Sequence, residues 1–142
     1  MNDNKEEIKN KYEINKKDKI TKIKIIIDYQ VKSFKELFYE CRCIESINFK
    51  KFYRDNITDM SGMFSECKSL KELNLNNFNT YNVTDMRCMF SRCSSLEELN
   101  INNFNINNVT DMSLMFSECS EQLKIKMKSL NKFLWKSFWK NN

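Results

Sequence analysis

The chain repeats itself every 26 residues, and that period constrains its fold more than any other property of the sequence. Met60, Met86 and Met112 stand at equal intervals, inside ITDMSGMFSECKSLKELNLNNFN, VTDMRCMFSRCSSLEELNINNFN and VTDMSLMFSEC. One period earlier lies a worn copy, VKSFKELFYECRCIESINFKKFY, in which Val31, Phe34, Phe38, Cys41, Ile44, Ile47, Phe49 and Phe52 keep the apolar register. A fixed period of roughly 20 to 50 residues marks the stacked coils of a solenoid, each unable to bury its apolar face alone. Such a chain is expected to be a binding module.

One coil, from Val83 to Asn108, shows the local pattern. Met86, Met89, Phe90 and Cys93 fall at i, i+3, i+4 and i+7, which predicts a short helix capped by Thr84, with Asp85 near its positive end. Leu96 to Ile101 then alternates, with Leu99 and Ile101 inward and Asn100 outward, which predicts a short strand. Asn102 to Asn105 make the return turn, Phe104 pointing in. Stacking places Leu73 over Leu99, Leu75 over Ile101 and Phe78 over Phe104, with parallel strands expected near Glu45 to Phe49, Lys71 to Leu75, Glu97 to Ile101 and Leu123 to Met127. Gln122 stands where the other coils carry Leu70 and Leu96, so the last strand has the weakest pattern. Asn56, Asn82 and Asn108, and Asn79 and Asn105, also fall in register, as an amide ladder requires. With one Gly in the chain, Asn is expected to take the turns and left-handed positions.

The string F-x-x-C-x-x-L-x-x-L-x-L, at Phe64, Cys67, Leu70, Leu73 and Leu75 and again at Phe90, Cys93, Leu96, Leu99 and Ile101, resembles a BspA-like leucine-rich repeat. The preceding N-V-T-D-M-x-x-M-F, at Asn82 to Phe90 and Asn108 to Phe116, is similar to the branch found in bacterial surface lipoproteins and some protists. The resemblance implies an α/β repeat: a right-handed leucine-rich-repeat solenoid with one short parallel strand and one short helix per coil, used for adhesion or protein binding and without known chemistry. It divides the chain into an N-terminal strand cap (1–30), four repeats (31–127) and a basic aromatic C-terminal helix (128–142). In such repeats the outward strand positions meet the partner. Here they include Glu72, Asn74, Asn76, Glu98, Asn100 and Asn102, and a solvated polar face is the other reading of the same residues.

Charge is unevenly placed. The formal +5 divides into +2 for residues 1–30, −2 for 31–119 and +5 for 120–142. The acidic residues scattered through the repeats, Glu66, Glu118 and Asp111 among them, argue against a nucleic-acid platform, which needs a basic stripe. From Lys124 to Lys140 the chain carries six Lys, no acid and two Trp. Leu130, Phe133, Leu134 and Phe138 take helical spacing there, which suits a cap on the last coil. The same pattern suits an anionic membrane surface or, less well, nucleic acid, through Lys132, Trp135, Lys136 and Trp139. At the front, Asp18 to Asp28 reads as a strand pairing with Tyr12 to Ile14 over the first coil.

No apolar signal region opens the sequence and no run of about 18 apolar residues occurs. With Met1 as the true start, a cytoplasmic protein with reduced thiols is expected; a fragment of a longer chain would fit the cell surface instead.

Catalytic chemistry finds few parts. His is absent, so a Cys or Ser nucleophile lacks its usual base, and a single Gly excludes glycine-rich phosphate loops. No enzyme, cofactor or small-molecule substrate is expected. Cys41, Cys67, Cys93 and Cys119 share one repeat position and read as a buried thiol column, with a disulfide or a metal site as alternatives. Cys43 and Cys88 lie off that column and are the candidates for accessible thiols, with Arg42 and Arg87 beside them. Asp59, Asp85 and Asp111 form a row that reads as carboxylates serving backbone N–H groups, or as a cation-binding row.

Overall fold

In the computed structural model, which describes residues 31–49 and 55–130, the amides from Phe34 onward alternate between two kinds of partner. Those of Phe34, Glu36, Phe38 and Glu40 donate to the carbonyls of Asp59, Ser61, Met63 and Ser65, at 2.8 to 2.9 Å. Those of Leu37, Tyr39 and Cys41 turn back to carbonyls three residues earlier. The same alternation carries Met60, Gly62, Phe64 and Glu66 onto Asp85, Arg87, Met89 and Ser91, and Met86, Cys88, Phe90 and Arg92 onto Asp111, Ser113, Met115 and Ser117. The chain therefore climbs one layer per repeat.

This ladder replaces the short helix expected in each coil. An α-helix would commit every amide to the carbonyl four residues back, whereas here alternate amides leave for the next layer. What remains is a run of tight turns. The third residues of every other turn hold positive φ: 56° at Glu36, 58° at Glu40, 61° at Gly62, 64° at Glu66, 55° at Cys88, 60° at Arg92, 55° at Leu114 and 54° at Glu118. None of these is Asn. The asparagines serve the turns in another way: Asn74, Asn79, Asn100 and Asn105 each accept the amide two residues on through Oδ1.

Regular strand forms between two coils. β1 (Ser46–Asn48) and β2 (Glu72–Asn74) pair in parallel, with Ile47 opposite Leu73. The stretch from Glu97 to Ile101 keeps its alternation, Leu99 buried and Glu98 and Asn100 exposed, but is not a strand, so Leu73 and Leu99 share the core without sharing a ladder. Just past this stretch, Asn103 Nδ2 donates to the carbonyls of Leu75, Asn76 and Phe78. A side-chain amide thus ties the return turn to the coil before it.

The fourth strand is a helix instead. α1 (Glu121–Leu130) crosses the boundary drawn between residues 127 and 128. Ser120 caps it, its Oγ accepting the Leu123 amide at 3.2 Å, and Glu121 sits in the first turn with Lys128 in the last. The alternation of Leu123, Ile125 and Met127 suggested a strand, yet the pair that faces inward is Leu123 and Met127, four apart, while Ile125 is 64% exposed. The N-terminal strand and the residues from Phe133 onward lie outside the described residues.

The core is built in columns. Phe38, Phe64, Phe90 and Phe116 stack with ring centroids 5.6, 5.7 and 5.4 Å apart and planes within 3°, 3° and 15° of parallel. Met60, Met63, Met86 and Met89 are wholly buried beside them. Truncating Phe64 or Phe90 to Ala is expected to cost about 3 to 5 kcal/mol, because each ring has neighbours above and below. Urea denaturation of the two variants checks this; a loss below 1 kcal/mol (about one methylene's worth) contradicts the stacked core.

Candidate functional site

Of the six residues expected on the strand face, two lie on β2 and four lie outside the strands. Glu72 and Asn74 flank buried Leu73 on β2, and Asn76, Glu98, Asn100 and Asn102 are all exposed. Lys71 pairs with Glu45 at 2.9 Å, and the Ser46 hydroxyl reaches Glu72 at 3.5 Å, both one repeat apart. Asn100 Nδ2 donates to Asn76 Oδ1 at 3.4 Å. An open groove runs across this face between β2, the Glu97–Asn100 stretch and α1, with Leu73, Leu99 and Met127 in its lining and Glu72, Glu98 and Lys126 at its rim. Asn74, Asn76 and Asn102 lie outside the groove. Lys126 reaches from α1 to Glu98 and holds its carboxyl below the usual carboxylate range. The alternative tail residues, Lys132, Trp135, Lys136 and Trp139, lie outside the described residues.

The thiol column is internal. Cys67, Cys93 and Cys119 donate through Sγ to the carbonyls of Phe38, Phe64 and Phe90 in the preceding coil, at 3.0, 3.1 and 3.0 Å. Cys41, Cys67, Cys88, Cys93 and Cys119 form no disulfide among the described residues. Burial pushes the Cys67 thiol up to about 12 and Cys119 up to about 11, and it raises Cys93 and Cys41 in the same direction. Cys88, a candidate accessible thiol, is half-buried, and desolvation raises its pKa against the smaller opposing pull of Arg87. Among the described residues no three metal-binding side chains are grouped.

The aspartate row serves the backbone. Oδ1 of Asp59, Asp85 and Asp111 accepts the amides of Ser61, Arg87 and Ser113, each at 2.8 Å. The Ser113 amide holds the Asp111 carboxyl below its ordinary range. Beside that row, Thr58, Thr84 and Thr110 donate their hydroxyls to Lys32, Thr58 and Thr84 carbonyls, forming a ladder in place of the expected helix caps. Asn82 and Asn108 likewise donate to backbone, to the Asp55 and Tyr81 carbonyls, and not to each other's amides.

One charged column was missed. Glu40, Glu66, Arg92 and Glu118 occupy a single repeat position, and Glu66 is only 6% exposed. Arg92 bridges Glu66 and Glu118, while Arg42 lies 3.5 Å from Glu40 and 3.7 Å from Glu66, and Lys68 3.2 Å from Glu66. The Arg92 hydrogen bond is the main reason the Glu66 carboxyl sits below the usual range, with Lys68 adding to it and burial opposing both. The signal was present in the sequence as a column of charge, which a count of acids along the chain does not show.

The stacked coils define a repeat protein, bound layer to layer by backbone amides. The chain belongs to the family described as Mycoplasma protein of unknown function, DUF285, whose model matches residues 32–134. No curated protein and no solved structure matches it. Among the described residues no helix is long and apolar enough to cross a membrane.

Two pH limbs follow from these shifts. Glu66, Glu98, Asp111 and Glu121 have lowered folded pKa values, so the stability they contribute is present above the ordinary carboxylate range and is lost as pH falls through the lowered values. Urea midpoints should therefore drop below about pH 4.5, and Glu66→Gln should flatten that limb while lowering the midpoint at pH 7. The raised Cys67 thiol works oppositely: its contribution is complete below its ordinary value of 9.0 and is lost as pH rises toward about 12. At pH 8 Cys67, Cys93 and Cys119 should resist a thiol reagent until urea unfolds the chain; fast labelling of Cys93 in the native protein would contradict a thiol bonded inside the core.

Proposed function

We propose that this chain is a non-catalytic protein-binding or adhesion module, a right-handed leucine-rich-repeat solenoid of the BspA-like branch that meets its partner through the strand face. The single observation that supports this most is the groove beside β2. Leu73, Leu99 and Met127 are packed beneath it, and Glu72, Glu98 and Lys126 line it with charge of both signs. Charges of both signs held in fixed positions over a packed layer can set the register of a protein partner. The columns of exposed Glu and Asn extend it along the coils. The compartment in this reading is the one open to a protein partner, cytoplasm or cell surface.

The test is a pull-down with the full chain, followed by the combined variant Glu72→Ala, Glu98→Ala, Asn100→Ala. Loss of the captured partner by about tenfold or more, with an unchanged melting temperature, supports the face; about 1.4 kcal/mol of binding is enough for that change. Retention of the partner by this variant, with its loss on deleting residues 131–142, would overturn the face in favour of Lys132, Trp135, Lys136 and Trp139. Salt-sensitive binding of the full chain to anionic vesicles, lost with the same deletion, would identify a membrane surface as the partner.

A further inference from the structure

Phe38 belongs to the first coil described, yet it is only 8% exposed. Phe64 stacks on one face of its ring and Phe49 meets the ring edge-on, at 5.6 and 6.0 Å, which leaves the other face to be closed from the N-terminal side. Phe34, in the column of buried Met60 and Met86, is 3% exposed in the same coil. Their neighbours are covered less well. Leu37, Cys41, Ile44 and Ile47 are exposed or partly exposed, whereas Met63, Cys67, Leu70 and Leu73, one coil on, are buried. Cover over the first coil is therefore selective by column. In later coils it comes from the coil before, and no described residue precedes Val31.

The residues one period earlier reproduce that selection. Ile8 falls in the Phe34 column and Tyr12 in the Phe38 column, which are closed; Lys11, Asn15, Asp18 and Thr21 fall in the columns of Leu37, Cys41, Ile44 and Ile47, which are not. Ile23 falls in the column of Phe49, which is partly buried. We propose that residues 5–30 form a further coil in the same register, with Tyr12 stacked on Phe38 and Ile8 packed on Phe34. The backbone edge matches this placement. The step from the Phe34 amide to the Asp59 carbonyl, taken one period earlier, brings the amides of Ile8, Asn10, Tyr12 and Ile14 to the carbonyls of Ser33, Lys35, Leu37 and Tyr39, which have no donor among the described residues. Lys19 falls beside Glu45, on the opposite side from Lys71. Polar residues at the other columns suit an end coil, because a terminal repeat has one neighbour and turns its outer face to water. The segment so placed follows the solenoid path and does not fold back as a hairpin of Asp18–Asp28 on Tyr12–Ile14. The strand face then starts one coil earlier, with Lys22 and Lys24 in the columns of Asn74 and Asn76, whatever that face binds.

Nuclear Overhauser contacts in the isotopically labelled full chain test this. The expected set joins the Tyr12 ring to the Phe38 ring, Ile8 to Phe34 and Ile23 to Phe49, with slow exchange at the amides of Ile8, Asn10, Tyr12 and Ile14. Contacts of Tyr12 with residues 18–28 in place of Phe38, contacts of Phe38 with Trp135 or Trp139, or fast exchange from Ile8 to Ile14 would each overturn the proposal. Urea unfolding adds a second readout. Tyr12→Asp should lower the folding equilibrium constant by about tenfold or more, the order of one aromatic pair, while Tyr12→Phe and the adjacent Glu13→Ala should stay within about twofold of the parent chain. Equal losses from Tyr12→Asp and Glu13→Ala would remove the register on which the coil depends. Should Tyr12→Asp fail to fold, the contacts in the unaltered chain decide.

Discussion

The structure depends on backbone amides that leave their own coil. In the turn runs 34–40, 60–66 and 86–92 alternate N–H groups reach a carbonyl in the next layer, and others close tight turns behind them. A buried amide left unpaired costs about 1 to 3 kcal/mol, so each layer needs its neighbour in one register. The side chains then follow. Phe64 can stack on Phe38 and Phe90, and Cys93 can reach the Phe64 carbonyl, because the backbone holds successive copies in line.

The ionic and amide side chains reinforce the same axis. Arg92 spans Glu66 and Glu118, Lys71 reaches Glu45, and Asn103 gathers three carbonyls of the coil before it. Most of these contacts are exposed, and such pairs contribute little singly. Glu66 differs because it is buried: its Oε2 makes no hydrogen bond and is held by ion-pair contact with Lys68. The column therefore links a core position to the surface.

The period, the buried column and the exposed polar positions were legible because a repeat forces equal residues into equal environments. Leu73, Leu99, Phe64 and Cys93 are buried for the reason their spacing indicated. The turn run was not legible. Met86, Met89, Phe90 and Cys93 have helical spacing, and a chain of turns buries that set as well as a helix does. What separates the two is the destination of the amides, which no side-chain pattern records. At the C-terminal end the strand-like alternation of Leu123, Ile125 and Met127 competed with a Ser120 cap and an i, i+4 pair, and the helix prevailed once Ile125 was left outside. The groove followed from that outcome, since α1 supplies Lys126 and Met127 to its lining.

The left-handed positions carry a consequence of their own. A non-glycine residue there costs roughly 1 to 2 kcal/mol, yet among the described residues Glu, Cys, Arg and Leu occupy seven of the eight and glycine one. The backbone path is thus imposed from outside by the adjoining layers, and it does not depend on which side chain is present. Positions 40, 66, 92 and 118 can accordingly exchange acid for base from one copy to the next without redirecting the chain. A gene that grows by duplicating such units inherits a writable line of charge along an invariant frame, on which successive copies can diverge while the architecture stays fixed.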